Sequence, residues 1–358
     1  MKAALVYDRV NKFGGAERVL LALHEIFPDA PLYISVYNKV AAPWANVFDV
    51  RTSFIQKLPL PKTAHEYYPY LMGPAFEAFI FDEYDVVISV THEFAKSIIT
   101  KPKTLHLCYC LTPTSYLWSG YDQYFSNKPL LKFISKPIIN YLRRYDKIIA
   151  NRPDKYIAIS KTVQERIKKY YGLESDIIYP PVNLASKGLT FRGGIFFLIV
   201  SRLVPNKRID IAIEAFNKLG LPLKIIGTGR QLSELKNLAK PNIEFLGFRT
   251  DEEVVSYYKS CRAVIVCGEE DFNIVAVETQ SFGKPVIAYG KGGVTETVIE
   301  GKTGWFFQEQ TPDSLVQKIK NLTEINPQDC ITNAKKYSQE RFKKEFKDYV
   351  LKSWNNYL

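Results

Sequence analysis

Tyr179-Pro180-Pro181-Val182-Asn183, continued by Ser186-Lys187-Gly188 and Gly193-Gly194, is the stretch that decides the fold. Proline fixes φ and lacks a backbone N–H, and glycine weakens regular structure, so this segment breaks any strand or helix and reads as a linker. Before it, apolar β-branched runs alternate with segments of helical period. Strands are predicted near Ala3–Tyr7, Leu32–Val36, Val86–Val90, Thr104–Tyr109 and Tyr156–Ile159, and helices near Ala16–Phe27, Glu66–Phe81, Pro129–Ala150 and Thr162–Tyr171. After it the alternation restarts. Strands are predicted at Phe196–Val200, Leu223–Ile226, Ile243–Leu246, Ala263–Val266 and Val286–Ala288, and helices at Arg208–Leu219, Gln231–Leu238, Glu252–Ser260, Ile274–Phe282 and Pro312–Leu322. Two βα series flanking a Pro/Gly linker predict an α/β chain of two doubly wound, Rossmann-like domains, 1–183 and 184–335. Ligand sites are expected at the carboxyl ends of the strands, with the ligand in the cleft between the domains. The tail from Thr332 to Leu358 reads as one or two amphipathic helices, 336–358 being expected to cross the hinge back to the first domain.

A chain of 358 residues that is 46% hydrophobic and 24% charged has enough apolar material for two ordinary cores. No run of eighteen apolar residues is present, and the N-terminus enters the strand-like Ala3–Tyr7 without a basic-then-apolar leader. Neither secretion nor membrane spanning is expected. The five cysteines, Cys108, Cys110, Cys261, Cys267 and Cys330, are odd in number and lie in or beside apolar runs, as buried reduced thiols of a cytoplasmic protein would. Cys108-Tyr109-Cys110 lacks a second Cys or His pair at ligand spacing, so no metal site is expected. The net charge of +11 calls for a polyanionic partner: nucleic acid, an anionic membrane surface or a diphosphate. Without a zinc finger, RNP motif or long basic tail, nucleic acid is the weakest of the three.

Gly268-Glu269-Glu270-Asp271-Phe272-Asn273-Ile274-Val275-Ala276-Val277-Glu278 places two carboxylates across a predicted loop-to-helix junction. A helix starting near Phe272 would project Glu278 from its second turn and leave Glu270 in the loop. The free N–H groups between them suit phosphate, and the carboxylates suit sugar hydroxyls. A buried helix with a capping acid is the plainer alternative. The motif follows Ser201-Arg202-Leu203-Val204-Pro205-Asn206-Lys207-Arg208, Gly227-Thr228-Gly229 and Phe245-Leu246-Gly247-Phe248, and precedes Gly290-Lys291-Gly292-Gly293-Val294-Thr295-Glu296, each at a predicted strand end. Singly, Arg202 and Lys207 read equally well as solvated charges, and Gly227-Thr228-Gly229 as a turn.

Together and in this order, these segments resemble the donor domain of glycosyltransferase family 4, whose fold is called GT-B. Phe13-Gly14-Gly15-Ala16-Glu17-Arg18-Val19 is similar to the family's N-terminal glycine loop, and Ile177–Asn183 to its hinge. The likeness covers nearly the whole chain and leans to the mannosyltransferase-like branch of surface polysaccharide and glycolipid assembly. The resemblance implies a retaining, metal-independent hexosyltransferase with a nucleotide diphosphate sugar as donor, GDP-mannose type favoured and UDP-sugar the alternative, and no separate cofactor. The acceptor would be a glycan or a lipid-linked sugar. By the same resemblance Arg202 and Lys207 stabilise the departing diphosphate, and the N–H groups around Phe272, Asn273 and Ile274 add the helix-terminus field. Glu270 would hold hydroxyls of the transferred sugar and Glu278 those of the ribose. Gly227 and Gly229 would lie along the donor, and Gly15 would let backbone approach it from the other domain. Neither glutamate is assigned as nucleophile or base.

Three departures from the family pattern stand out. Leu111 occupies a position where the branch carries histidine near the transferred sugar, and Ser115 and Ser119 replace arginine and aspartate. Asn273 replaces glycine; it tolerates unusual backbone angles and caps helices, but its side chain would intrude on the donor. His92, after a strand end, is either a partial substitute for the missing histidine or a loop histidine satisfied by backbone. The segment from Tyr116 to Tyr156 mixes aromatic and aliphatic residues with Lys128, Lys132, Lys136, Arg143, Arg144 and Lys147. This suits docking on the anionic inner face of a membrane or a helix with solvated lysines. A non-catalytic sugar-nucleotide-binding scaffold is the rival reading, prompted by Leu111 and Asn273; an epimerase or hydrolase on the same fold would need further carboxylates.

Overall fold

The computed structural model describes residues 1–58, 69–122, 129–185 and 194–357. Ser186-Lys187-Gly188, Gly193, the expected helix start at Glu66 and the cation Lys128 lie outside the described residues. The chain divides into two compact units, Met1–Pro181 with Glu340–Leu358, and Val182–Gln339.

The first unit holds a seven-stranded parallel sheet of β1 (Ala3–Tyr7), β2 (Leu32–Ile34), β3 (Val50–Thr52), β4 (Val86–Thr91), β5 (Leu105–Cys110), β6 (Lys155–Ala158) and β7 (Asp176–Ile177), in the order β3-β2-β1-β4-β5-β6-β7. The second holds six parallel strands, β8 (Phe197–Val200), β9 (Leu223–Ile226), β10 (Ile243–Gly247), β11 (Ala263–Val266), β12 (Val286–Tyr289) and β13 (Gly304–Phe307), in the order β10-β9-β8-β11-β12-β13. In each sheet the winding reverses once, between β1 and β4 and between β8 and β11. Connections diverge at such a point and leave a crevice at the carboxyl ends of the two strands. The unit-internal sites are therefore expected beyond Tyr7 and Thr91, and beyond Val200 and Val266.

Strands β1, β4, β5, β11 and β12 are buried at every residue, which is why they read as continuous apolar runs rather than alternating ones. Three edge strands, β3, β7 and β13, are absent from the periodicity reading. Arg51 and Thr52 are exposed, β7 is two residues long, and β13 opens on Gly304. That glycine is required, since a Cβ there would lie 2.1 Å from the Val286 carbonyl oxygen.

The predicted tail resolves into the helix Pro327–Ala334, a turn Lys335–Tyr337 and the helix Gln339–Asn355. The last of these packs on the first unit. Phe342 and Phe346 lie edge-on to Tyr109 at 5.9 and 5.6 Å, and Tyr349 donates to Asp176 at 2.7 Å. Two fully buried phenylalanines contribute about 1.5–3 kcal/mol each. All five cysteines are free and buried. Among the described residues no helix is long and apolar enough to cross a membrane.

Candidate functional site

At the reversal point of the second sheet, β8 runs into a 3-10 turn, Pro205–Lys207, and β11 into the loop that ends at the helix Ile274–Ser281. The two loops touch because Gly268 has no side chain: a Cβ there would fall 2.6 Å from the Asn206 carbonyl oxygen and 3.1 Å from Lys207 Cα. This contact delivers Lys207 to Glu270. Its Nζ donates to Oε1 at 2.7 Å and to Oε2 at 2.6 Å, and the two side chains are only 17% and 15% exposed. Two of three ammonium protons are used, and both carboxylate oxygens keep lone pairs for further donors. The Glu270 backbone is fixed from below, its carbonyl accepting from Gly293 N–H at 2.7 Å.

The helix begins at Ile274, where the periodicity predicts it, two residues past Phe272. Asn273 sits in the left-handed region at φ 72°, ψ 82°, and its Oδ1 accepts from Ala276 N–H at 2.8 Å. Phe272 is buried and edge-on to Tyr337 at 5.5 Å, so its side chain belongs to the core. The Asn273 side chain folds back on the helix and takes one of the first-turn donors. Ile274 and Val275 keep N–H groups that no carbonyl within the helix satisfies. One turn on, Glu278 is half-buried and accepts from Tyr258 OH at 3.1 Å.

Arg202 is exposed at the end of β8, while Arg208 is committed to Asp210, with Nη2 to Oδ2 at 3.0 Å, and to Gln310 at 3.2 Å. Gly227 and Gly229 acquire a packing reason. A Cβ on Gly227, whose φ is 137°, would lie 1.8 Å from the Ser201 carbonyl oxygen, and one on Gly229 2.2 Å from that of Leu203.

In the first unit the matching position is built on Asp8, directly after β1. This fully buried carboxylate accepts from the backbone N–H groups of His92 at 2.8 Å, Glu93 at 3.1 Å, Phe94 at 2.9 Å and Ala95 at 2.8 Å. It also accepts from Thr91 Oγ1 at 3.0 Å and lies 3.2 Å from His92 Nδ1. Asp8 is thus the residue that orients His92, beyond the end of β4. Burial works to raise the Asp8 carboxyl, but the His92 ring and the backbone N–H groups outweigh it and hold it well below the usual carboxylate range. Burial works to lower the His92 imidazole, yet the Asp8 hydrogen bond and charge, with Glu93 beside it, raise it. Glu93 in turn pairs with Arg9, whose Nη2 donates to Oε1 at 2.8 Å.

The His92 ring is therefore held by carboxylates, Nδ1 by Asp8 and Nε2 3.6 Å from Glu93, rather than by the backbone. Leu111 stands at the end of the adjacent strand, its N–H donating to the Thr91 carbonyl at 2.8 Å, so the two acceptor-side candidates are neighbours in register. Gly15 opens the helix Gly15–Ile26 and is exposed. Two residues on, buried Glu17 accepts from Tyr7 OH at 2.8 Å, and the Tyr7 ring lies 6.4 Å from that of His92.

Asp8, Glu17 and a further buried pair, Lys96 with Asp146 at 2.8 Å, escaped the sequence reading. Asp146 also accepts from Thr114 Oγ1 at 3.0 Å, Trp118 Nε1 at 2.7 Å and Tyr171 OH at 2.9 Å, and so anchors the segment after Leu111. Ser115 and Ser119 of that segment are exposed. A carboxylate as the first residue past an apolar strand is a usable signal for Asp8. Nothing local distinguishes Lys96.

Residues 13–186 match the model of Glycosyltransferase Family 4, and residues 184–337 that of Glycosyl transferases group 1. An uncharacterized glycosyltransferase of Methanocaldococcus jannaschii is 33% identical over 187 residues, 50% of this chain and 52% of that protein. The O-antigen chain mannosyltransferase C of Escherichia coli is 25% identical over 242 residues, 64% of each chain. The matches thus span between half and two thirds of these relatives' lengths. Anabaena HepE, solved in complex with UDP, superposes with a TM-score of 0.72 at 19% identity, covering 98% of this chain and all of that one, and so shares the fold. Two family models that run between them from residue 13 to residue 337, over two doubly wound parallel sheets, show that the chain belongs to glycosyltransferase family 4 and has the GT-B fold.

Proposed function

We propose that the protein transfers a hexose, with retention of configuration and without a catalytic metal, from a nucleoside diphosphate sugar to a glycan or lipid-linked acceptor. The observation that carries this reading is the Lys207–Glu270 pair beside the start of the helix Ile274–Ser281. Lys207 keeps one N–H for a phosphate oxygen, and the Ile274 and Val275 N–H groups add a field that favours the same anion. Arg202, exposed nearby in sequence, supplies a second cation for the leaving diphosphate. Glu270 offers lone pairs to the hydroxyls of the transferred sugar, while Glu278 and its Tyr258 partner suit the ribose. Because the donor's own phosphate oxygen takes the acceptor proton, the protein need not supply a nucleophile, and neither glutamate is assigned as one. Gly227 and Gly229 shape the same edge, and Gly15 leaves backbone open for the donor.

Mannose is the favoured sugar, supported by the Escherichia coli mannosyltransferase among the relatives, with a GDP donor; the UDP bound to Anabaena HepE keeps a UDP-sugar as the alternative. His92, oriented by Asp8 next to Leu111, supplies the acceptor-side imidazole that position 111 lacks. A cytoplasmic protein peripheral on the inner membrane face fits a lipid-linked acceptor. The test is a thermal-shift screen of GDP- and UDP-sugars followed by turnover with lipid-extract acceptors. Donor-dependent stabilisation with transfer is expected, and Lys207→Ala and Glu270→Ala should each lower turnover by about 100-fold or more. Stabilisation by donor with neither transfer nor hydrolysis would instead make the protein a sugar-nucleotide-binding scaffold. Unchanged binding and turnover in both variants would remove the site assignment.

A further inference from the structure

The helix Pro129–Ile149 has a face that the transfer chemistry leaves unused. Its inner side is committed: Ile139, Leu142 and Ile149 are buried, and Asp146 holds Lys96. Its outer side exposes Phe133 (77%), Ile134 (61%), Ile138 (44%), Tyr141 (59%) and Ile148 (64%). Ile134, Ile138, Tyr141 and Ile148 follow one another at intervals of four, three and seven residues, which puts them in a single stripe along the helix. Tyr70, from the helix Pro69–Glu77, widens it, its ring 6.3 Å from that of Tyr141. Exposed Arg144 borders the stripe, and exposed Lys147 and Lys136 lie further round the same solvent-facing half of the helix. The helix has a single acidic residue, Asp146, and that one is buried. Large apolar side chains are ordinarily exposed singly, not in a row beside cations.

We infer that this face docks the protein on an anionic lipid surface. The apolar stripe lies in the boundary between headgroups and acyl chains, and Lys136, Arg144 and Lys147 meet lipid phosphates. The charge pattern selects this occupant over a second copy of the chain. The helix exposes cations and no acid, so it offers a second copy no complementary charge along this face, whereas anionic lipid phosphates supply it. The inference deepens the peripheral location proposed above and rests on that part alone. Vesicle binding is read without donor or acceptor, so a failure to dock and a failure to transfer are separate results.

The test is co-sedimentation of the full chain with phosphatidylglycerol-containing vesicles and with phosphatidylcholine vesicles, at roughly 0.05 M and 0.5 M salt. Binding to the anionic vesicles that weakens at high salt, and little binding to the neutral ones, is expected. Two triple variants, one with Lys136→Glu, Arg144→Glu and Lys147→Glu and one with Ile134→Ser, Ile138→Ser and Tyr141→Ser, should each weaken binding by at least about tenfold. Both should keep the wild-type circular dichroism spectrum and thermal midpoint, since the altered side chains are exposed. Equal binding to neutral and anionic vesicles, or wild-type binding by either variant, would overturn the proposal. So would a dimer in light scattering that the apolar variant converts to monomer, which would assign the face to self-association.

Discussion

Replacing Asn273 separates the two things that residue does. Its backbone lies at φ 72°, and its side chain caps the Ala276 N–H at 2.8 Å. Asn273→Ala loses the cap, about 1 kcal/mol, and leaves in the left-handed region a residue without the polar side chain that lets asparagine tolerate it, up to about 1–2 kcal/mol more. Asn273→Gly loses only a few tenths with the cap. It also gains unfolded-state entropy worth about 0.5–1 kcal/mol, which relief of asparagine's own backbone strain largely offsets. The alanine variant should therefore be about 2 kcal/mol less stable than the glycine variant. For a unit of this size each kcal/mol moves the midpoint by about 2–4 °C, so the two should melt roughly 4–8 °C apart by circular dichroism. Equal midpoints would refute the strained-cap reading.

The same pair of variants addresses the ligand. Asparagine occupies a first-turn donor that a phosphate would otherwise take. Asn273→Gly frees the Ala276 N–H without moving the backbone. A hydrogen bond to a charged acceptor contributes about 1.5–3 kcal/mol, so GDP or UDP should bind the glycine variant at least about tenfold more tightly by calorimetry. Unchanged or weaker nucleotide binding would show that this helix start is not where the diphosphate sits.

Asp8→Asn should destabilise the first unit by at least about 3 kcal/mol at neutral pH, because it weakens a fully buried, multiply bonded carboxylate. Its pH dependence has a sign. The depressed Asp8 contributes stability above its unfolded pKa of about 3.9 and loses it as pH falls through the lower folded value, while the raised His92 contributes below about 6.5 and loses it as pH rises through its folded value. Urea midpoints of the variant across pH should be flatter than wild type at both ends. Lys96→Met should cost about 3–5 kcal/mol by leaving Asp146 unpaired, and adding Asp146→Leu should recover part of that; no recovery would mean that Asp146 matters through Thr114, Trp118 and Tyr171 instead. Gly227→Ala, whose Cβ would stand 1.8 Å from a carbonyl oxygen, should abolish soluble folded protein, whereas Gly220→Ala, at φ 68° with nothing within 4 Å, should cost only about 1–2 kcal/mol.

The alternation of strand and helix was legible because parallel strands covered on both faces leave uninterrupted apolar runs, and the helices between them keep one apolar stripe. Edge strands such as β7 bury too little to leave that mark. Strand order is tertiary information, so no local pattern announces that β1 lies beside β4. For that reason the pairing of Asp8 with His92, 84 residues apart, was invisible, although both residues follow strands that the sequence does predict. Lys207 and Glu270, 63 residues apart, were each identified as candidates through motif resemblance, but their mutual ion pair was not. The helix start at Ile274 was legible from the periodicity, and so was Asn273 as its cap, because asparagine tolerates left-handed backbone angles and its side chain satisfies the helix's third N–H.

The glycines show what motif order was recording. Gly172, Gly220 and Gly301 turn the chain at positive φ with open space around them, as any turn glycine does. Gly227, Gly229, Gly268, Gly292 and Gly293 differ, since a Cβ on any of them would collide with the backbone of another strand-end loop. The loop after β9 lies on Ser201 and Leu203 after β8; the loop after β11 lies on Asn206 and Lys207, also after β8; and the loop after β12 lies on Glu270, Asp271 and Phe272 after β11. These contacts follow the strand order β9-β8-β11-β12, so the carboxyl edge of the sheet is a continuous shelf of backbone on backbone. Lys207, Glu270 and Asn273 are held on that shelf by neighbours that tolerate no side chain between them. The family's glycine pattern therefore need not touch a ligand to matter: each glycine sets the spacing of two adjacent loops, and that spacing positions Lys207 beside Glu270.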